Sequence, residues 1–151
     1  MALSLNKYKQ KRNFQETSEP EGQISQLQQN RFVIQEHWAS HHHFDFRLEM
    51  EGVLRSWAVP KGLPEETGVK RLAVETEPHP LEYLNFEGQI PEGSYGAGRV
   101  EIYDQGKYVL KSQDSKAMSF ELKGKKLKGL YHLVKMDDKN WLIFKDEKRT
   151  E

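Results

Sequence analysis

The sequence contains no cysteine and no long apolar run. Without cysteine, a disulfide scaffold, a thiolate zinc site and a cysteine nucleophile are excluded. No apolar run approaches the ~20 residues that cross a bilayer. The first residues, 1–7, also lack an apolar stretch of signal-peptide length. These absences predict a cytoplasmic protein with no membrane partner.

The chain also lacks an excess of either charge, because 23 basic residues balance 23 acidic ones. Proteins that coat nucleic acids are usually strongly basic, since most of their affinity comes from neutralising phosphates. A neutral chain can still hold one or two phosphates with a local cluster of cations. The composition therefore favours a confined basic pocket over a broad basic face.

Two parts of the chain differ in composition. Residues 1–30 combine the turn signal Glu19-Pro20-Glu21-Gly22 with a polar stretch, 23–30, that offers little to bury, and by composition they could be disordered. Residues 31–151 contain short alternating apolar runs broken by glycine and proline. A chain of 151 residues fits one domain. We therefore predict an N-terminal arm, 1–30, followed by one domain, 31–151.

Short strands are predicted throughout the second part. Phe44, Phe46 and Leu48 alternate with polar residues, a period of two that is typical of a strand. Glu51-Gly52 is a predicted hairpin turn, and Asp104-Gln105-Gly106 is a predicted three-residue hairpin loop. The other candidate strands are 53–59, 71–76, 99–103, 107–110, 119–122, 130–135 and 141–145. Since no segment shows a sustained helical period, we expect a mainly β fold, a small closed or nearly closed β-barrel of about seven or eight strands with an N-terminal arm.

A dense group of potential metal ligands lies between residues 37 and 47. Residues two apart on a strand share a face, so His43, Asp45 and Arg47 line one face while the intervening aromatic residues pack behind it. His37 could supply a third ligand. Two imidazoles and one carboxylate suit manganese, iron or zinc, and three protein ligands leave room for a substrate oxygen and water. The alternative is a solvated histidine patch, since the adjacent histidines at 41–43 cannot all face one way.

Further cations could complete a phosphate-binding site beside these ligands. Arg47 can hold two phosphate oxygens with its planar guanidinium. His79 lies between two prolines, which fix its predicted loop in an extended form. Lys61 and Arg71 could each be a surface charge, but with the other two they would form a compact phosphate cradle. The glycine-rich stretch 91–98 lacks the ending of a P-loop and is interpreted as a tight turn before a strand.

Several motifs in one order resemble the 3′-phosphoesterase domain of bacterial and archaeal DNA ligase D. The resemblance extends over most of the chain, from residue 11 to residue 145. The matching stretches are FVIQEH (32–37), HFDFRLE (43–49), SWAVPKG (56–62), HPLEY (79–83), FEGQIP (86–91) and GSYGAG (93–98). Several long motifs in one order are far more specific than any one of them.

The resemblance implies a manganese-preferring enzyme that removes a 3′-terminal ribonucleoside, leaving a phosphate, and then removes that phosphate. The implied metal ligands are His37, His43 and Asp45, with Zn²⁺ or Co²⁺ as alternative ions. The implied catalytic or phosphate-contacting residues are Arg12, Glu19, Arg47, Lys61, Arg71, His79 and Tyr83. Asn13 stands where the family often has aspartate. An amide cannot act as a base or an anionic anchor, so this departure bears on the ribonucleoside-removing step.

The resemblance also implies a biological setting. Members of the family prepare the 3′ ends of DNA or DNA/RNA primer–templates for non-homologous end joining. Their N-terminal arm folds over the active site and contacts the terminal nucleotide. Because no ligase or polymerase region accompanies the present sequence, we expect a DNA ligase and a polymerase to act in trans.

Three hypotheses stay open on sequence alone. In the first, a metal polarises a terminal phosphate while Arg47 and His79, aided by the two outer cations, offset its growing charge. His79 could instead protonate the leaving oxygen, and Glu19 could position a 2′-hydroxyl. In the second, the ligands form a facial-triad iron oxygenase, which activity with manganese under anaerobic conditions would eliminate. In the third, a non-catalytic module grips strand ends, and Asp45→Ala would then leave its binding intact.

Overall fold

The computed structural model describes residues 3–14, 17–20 and 29–146. These residues form one short α-helix, nine β-strands and one 3₁₀ helix. In chain order the elements are α1 (Asn6–Gln10), β1 (Arg31–Trp38), β2 (His42–Met50), β3 (Val53–Val59), β4 (Lys70–His79), the 3₁₀ helix (Leu81–Asn85), β5 (Gly88–Ile90), β6 (Gly98–Gln113), β7 (Ala117–Gly124), β8 (Lys128–Lys135) and β9 (Asn140–Lys145). Among the described residues, no helix has the length and apolar character needed to cross a membrane.

Eight of the nine strands close into an antiparallel barrel. The order around the barrel is β1, β2, β3, β4, β9, β8, β7 and β6, and β6 pairs back with β1. β5 pairs with the first residues of β6 outside this circuit. The predicted mainly β fold with a closed barrel is therefore confirmed.

The interior and the outer face of the barrel bury different residues, because side chains alternate along each strand. The interior core takes residues from all eight barrel strands, among them Phe46 and Phe120. A second, smaller apolar cluster lies on the outer face, where Val33, Leu54 and Val100 pack with residues of α1, the 3₁₀ helix and β5. These added elements form an outer layer over one side of the barrel.

The hairpin predicted at Asp104-Gln105-Gly106 is wrong, because β6 runs through these residues without a break. A Cβ atom on Gly106 would lie 2.3 Å from the carbonyl oxygen of Lys123 in β7. The glycine therefore permits a close approach of two backbones within the sheet and does not form a turn. The Asp104 carboxylate instead accepts hydrogen bonds from the backbone of the β7–β8 turn, at 2.8 Å from Lys125 N and 2.9 Å from Leu127 N.

Other local predictions agree with the structure. Glu51-Gly52 is the two-residue turn between β2 and β3, and both residues have positive φ, 51° and 81°. The glycine-rich stretch 91–98 forms turns that lead into β6, as predicted. His79 differs from the prediction, since it ends strand β4 and does not lie in a loop.

Candidate active site

A cavity of about 320 Å³ lies on the outer face of the barrel. Strands β1, β2, β3 and β4 form one side of it, and N-terminal residues contribute to the other side. Seven of the residues predicted for the site line this cavity, although they come from distant parts of the sequence. They are Arg12, His37, His43, Asp45, Arg47, His79 and Tyr83. The chemistry-bearing side chains therefore lie outside the barrel interior.

His37 and His43 converge because β1 and β2 form a hairpin. The two residues are directly opposite each other across the strands, with ring centroids 4.8 Å apart. Asp45 lies two residues further along β2 on the same face. These three residues offer ligand atoms that all lie within 4.8 Å of one another. They form one candidate metal site.

The hydrogen bonds of both imidazoles leave one nitrogen of each ring facing Asp45. His37 Nε2 lies 2.7 Å from the Gly96 carbonyl oxygen, and His43 Nδ1 lies 2.8 Å from the His41 carbonyl oxygen. Since a carbonyl only accepts, these nitrogens donate a proton, and the other nitrogen of each ring is available as a ligand. Metal-binding histidines usually donate their second nitrogen to such an outer partner.

The distances from Asp45 to the two histidines are close to those around a small divalent cation, and all three ligand atoms lie within 4.8 Å of one another. Asp45 carboxylate oxygens lie 3.5 Å from His37 Nδ1 and 3.3 Å from His43 Nε2. Ligand bonds of about 2.1 Å place neighbouring donors about 3.0–3.4 Å apart. The donor set, two nitrogens and one carboxylate, suits first-row transition metals.

Asp45 is buried and charged. Burial alone would raise its pKa, but the Arg47 guanidinium and the hydrogen bonds of the two histidines outweigh it, so the pKa lies well below the usual range. Burial also lowers the pKa of His43, yet the hydrogen bond to Asp45 more than offsets this and the pKa is raised. Without metal a proton can occupy His43 Nε2, and a bound cation would replace it.

Arg47 is held in place before any ligand arrives. Its Nε donates to Gln35 Oε1 at 2.8 Å and its Nη1 donates to Ser56 Oγ at 2.9 Å. Its Nη2 lies 3.6 Å from Asp45 Oδ2, and its guanidinium sits 4.7 Å above the Tyr83 ring. Arg47 therefore presents a fixed positive charge beside the candidate metal ligands.

His79 is a buried, neutral imidazole. Burial lowers its pKa well below the ordinary value, and the positive charges of Arg47 and Arg12 lower it further. Its Nδ1 donates to the Glu77 carbonyl oxygen at 3.0 Å. Its Nε2 therefore carries a lone pair, and it lies 3.2 Å from Arg12 Nη2.

Arg12, Glu19 and Tyr83 form a hydrogen-bonded group that ties the N-terminal residues to the barrel. Glu19 Oε2 accepts from Arg12 Nε and from the Tyr83 hydroxyl, both at 2.8 Å. Burial raises the pKa of Tyr83 well above its ordinary value, and nearby Glu19 adds to the effect. Tyr83 therefore stays protonated and donates. The Tyr8 hydroxyl donates to the Pro20 carbonyl oxygen and closes the segment on itself.

Lys61 and Arg71 are not among the residues that line the cavity. Arg71 Nη1 donates to the carbonyl oxygens of Lys61 and Gly62 at 2.8 and 3.1 Å. The two cations therefore lie beside each other, near the end of β3, and Lys61 is exposed. The structure does not join them with Arg47 and His79 in one compact cradle.

The chain matches the model of a known protein family. The family described as the DNA ligase D 3′-phosphoesterase domain matches residues 35–135, which contain all three candidate metal ligands. The chain belongs to this family.

Relatives of this 3′-phosphoesterase domain are multifunctional non-homologous end joining proteins LigD. The protein of Pseudomonas aeruginosa is 42% identical over 93% of this chain and 18% of its own length. The protein of Mycobacterium tuberculosis is 45% identical over 94% of this chain and 20% of its own length. That of Mycolicibacterium smegmatis is 44% identical over 99% of this chain and 22% of its own length. The chain thus spans about a fifth of each of these relatives.

Several residues of the candidate site were not found from the sequence. Buried Glu77 accepts from Lys11 Nζ at 2.8 Å, and its other oxygen lies 3.5 Å from Arg12. Gln35 and Ser56 orient Arg47. The Gly96 carbonyl, from the stretch interpreted as a plain turn, orients His37. The period-two pattern of β1 and β3 could have placed Gln35 and Ser56 on the face of the metal ligands, but the other contacts join residues far apart in sequence.

Proposed function

We propose that this protein is a metal-dependent 3′-end-processing phosphoesterase, with 3′-ribonucleoside phosphodiesterase and 3′-phosphomonoesterase activities. The observation that carries the proposal is the His37–His43–Asp45 cluster, whose two imidazoles are already oriented and whose neighbour is a fixed arginine. A metal with open positions and an adjacent guanidinium is what hydrolysis of a phosphate ester requires. Membership in the 3′-phosphoesterase family supports the same conclusion.

Manganese is the proposed metal, held by His37 Nδ1, His43 Nε2 and an Asp45 oxygen. Mixed nitrogen and oxygen donors also accept Zn²⁺ or Co²⁺. Bound there, the cation would supply Lewis-acid polarisation of a phosphate oxygen.

Arg47 binds and orients the phosphate in this proposal. Its nitrogens donate to Gln35 and Ser56, so little reorganisation is needed when charge grows on the phosphate oxygens. Burial beside the Tyr83 ring strengthens the guanidinium's interaction with an anion, because little water screens it.

His79 acts as a neutral partner and not as the proton donor in the resting enzyme. Its lowered pKa and its donated Nδ1 proton leave Nε2 with a lone pair. That nitrogen can accept a hydrogen bond from Arg12, as it does here, or from a substrate hydroxyl. A neutral imidazole whose free nitrogen only accepts fits neither role considered from the sequence, offsetting of charge or protonation of the leaving oxygen, and we propose that His79 positions its partner instead.

Arg12 and Tyr83 line the cavity on the side of the N-terminal residues, and Glu19, behind them, accepts a hydrogen bond from each. We infer that Glu19 and Arg12 position the terminal nucleotide, including a 2′-hydroxyl when one is present. Lys61 and Arg71 would contact phosphates further out, since they lie beyond the cavity. Asn13 replaces a frequent aspartate of the family and can serve neither as a base nor as an anionic anchor, so of the two proposed activities this departure bears on the ribonucleoside-removing step.

The proposed substrates are 3′ ends of DNA or DNA/RNA primer–templates, and the proposed role is end preparation in non-homologous end joining. The printed names of the relatives give this role to proteins that contain the domain. We propose a DNA ligase and a polymerase as functional partners, and the cytoplasm as the compartment.

The test uses two primer–templates, one ending in a single ribonucleotide and one ending in a 3′-phosphate, incubated with Mn²⁺. Product is expected from the parent protein, and none from His43→Ala. His42→Ala is the matched control, because His42 is exposed and pairs with Glu36. Unchanged ends with the parent protein, or equal turnover by the two variants, would reject the proposal. If only the primer–template that ends in a 3′-phosphate were processed, the missing activity would be the removal of the ribonucleoside.

A further inference from the structure

Four cations lie in a row across four neighbouring strands, on the outer face of the barrel. Arg31 of β1 is paired with Lys107 of β6, Lys107 with Lys123 of β7, and Lys123 with Lys128 of β8. Paired residues of antiparallel strands point to the same side, and their Cβ atoms are about 4.5–5.5 Å apart. We call these four residues the basic row.

Three members of the basic row make no ion pair with the described residues, and Glu121, two residues before Lys123, pairs with Lys111 instead. Like charges directly opposite each other on a sheet are destabilising. Arg31 is balanced by buried Glu49, with contacts of 2.9 and 3.3 Å. Within residues 3–14, 17–20 and 29–146, no ion pair involves Lys107, Lys123 or Lys128, which are all exposed. An unbalanced row in a chain of zero net charge indicates an anionic partner.

The turn beside the row is rigid and adds further charge. Asp104 accepts hydrogen bonds from the backbone of Lys125, Lys126 and Leu127, and this fixes the β7–β8 turn. Lys125 joins Arg31 and Lys107 in the lining of a second cavity, of about 300 Å³. No acidic residue of the described chain lines that cavity. A fixed backbone reduces the conformational freedom that the turn loses on binding, although its lysine side chains stay free to rotate.

The register of β1 relates the basic row to the candidate metal site. His37 and Arg31 are six residues apart on one strand, so they lie on the same side of the sheet and roughly 20 Å apart. Val33 and Gln35 between them are buried beneath the 3₁₀ helix, so a duplex that reaches both would pass over this helix. Since phosphates follow one another every 3.4 Å along the axis of each strand of a duplex, this distance corresponds to about six base pairs.

We propose that the basic row and its turn bind the phosphate backbone of the duplex whose 3′ end lies at the metal ligands, about six base pairs from that end. The inference rests on the proposed function, and it extends the basic surface well beyond the confined pocket that composition suggested. An acidic protein surface would fit the charge equally, but it would not require the shared face and the set distance from the cavity.

The test compares Lys107→Gln/Lys123→Gln with the control Lys116→Gln/Lys139→Gln, which removes the same charge from exposed turns elsewhere. The probes are fluorescent stems of 4 and 12 base pairs that end in a 3′-phosphate and are closed by a non-nucleotide linker. Affinity is measured by anisotropy without divalent metal, so that turnover is not needed. For the 12-base-pair stem we expect the row variant to bind at least tenfold more weakly, with a salt slope smaller by about 2.

The 4-base-pair stem is too short to reach the row, so its affinity should be the same for both variants. Equal affinities of the two variants for the long stem would overturn the proposal and favour a protein partner. Equal losses on both stems would also overturn it, because the set distance would be absent. Length-dependent binding without any Mn²⁺-dependent turnover would instead reject the proposed function and leave the binding surface standing.

Discussion

The barrel interior and the outer-face cavity both consist of buried side chains, but these side chains are apolar in the interior and mostly charged or polar in the cavity. The interior is an apolar and aromatic core drawn from every barrel strand. The cavity is lined by buried charged or polar groups, Asp45, Arg47, Glu77 and His79, which each have a charged or hydrogen-bonded partner. Both arise from the same strands, because alternate residues point to opposite faces.

The difference shows which region supplies stability and which supplies chemistry. Apolar burial stabilises a fold roughly in proportion to its area. Buried ion pairs add little net stability, since desolvation offsets most of their attraction. A cluster such as Asp45 with Arg47 is therefore better explained by what it binds than by what it stabilises. Three predictions test whether stability and chemistry are separated in this way.

The largest expected effect is loss of activity in Asp45→Asn. The amide keeps the shape of the carboxylate but removes the charged ligand, so we expect turnover on a 3′-phosphate end to fall by ~10³-fold or more. Metal binding, followed by equilibrium dialysis with Mn²⁺, should weaken in parallel. Asp138→Asn, in the exposed β8–β9 turn, is the control. Normal metal affinity in Asp45→Asn would show that the metal lies elsewhere.

The second effect is loss of stability in Phe120→Ala. Phe120 is fully buried in the interior and its ring lies 5.7 Å from that of Phe46, so we expect the free energy of unfolding to fall by about 3–5 kcal/mol. Urea denaturation measures it, with the partly exposed Val109→Ala as the control. Activity per folded molecule should be unchanged. If the activity per folded molecule falls as steeply as in Asp45→Asn, the interior contributes to the chemistry of the cavity as well as to stability.

The smallest effect is a change in the pH dependence of stability. Folding lowers the pKa of His79. Below about pH 6.5, His79 therefore binds a proton in the unfolded chain but not in the folded chain. The free energy of unfolding should therefore fall as the pH drops from 7 to 5, by up to about 1.4 kcal/mol per pH unit from this group. Metal-free His79→Gln should show a shallower slope than the parent in urea denaturation. Equal slopes would mean that His79 accepts protons in the folded state.

Most of the fold could be predicted from the sequence because its signals are local. The alternation in β2 and the Glu51-Gly52 turn placed one hairpin correctly. The same local rules failed at Gly106, since a glycine permits both a turn and a close approach of strands. The choice depends on β7, which begins eleven residues later, and no local pattern reveals it.

The candidate site likewise contains residues that could be predicted from the sequence and residues that could not. His43, Asp45 and Arg47 could be grouped because one strand carries them, and His37 because a hairpin brings it back. Glu77, in contrast, is held by Lys11 from a segment 66 residues away. Such contacts depend on how the outer layer packs. The separation of Lys61 and Arg71 from the cavity was unpredictable for the same reason.

The short connection between β1 and β2 has a consequence of its own. Ala39, Ser40 and His41 separate two strands whose pairing sets His37 opposite His43. One inserted or deleted residue there would slide β2 by one position and turn over its whole side-chain pattern. The aromatic residues would then face water and the ligands would face the core. The candidate metal site therefore depends on the length of this loop as well as on the identity of the three ligands.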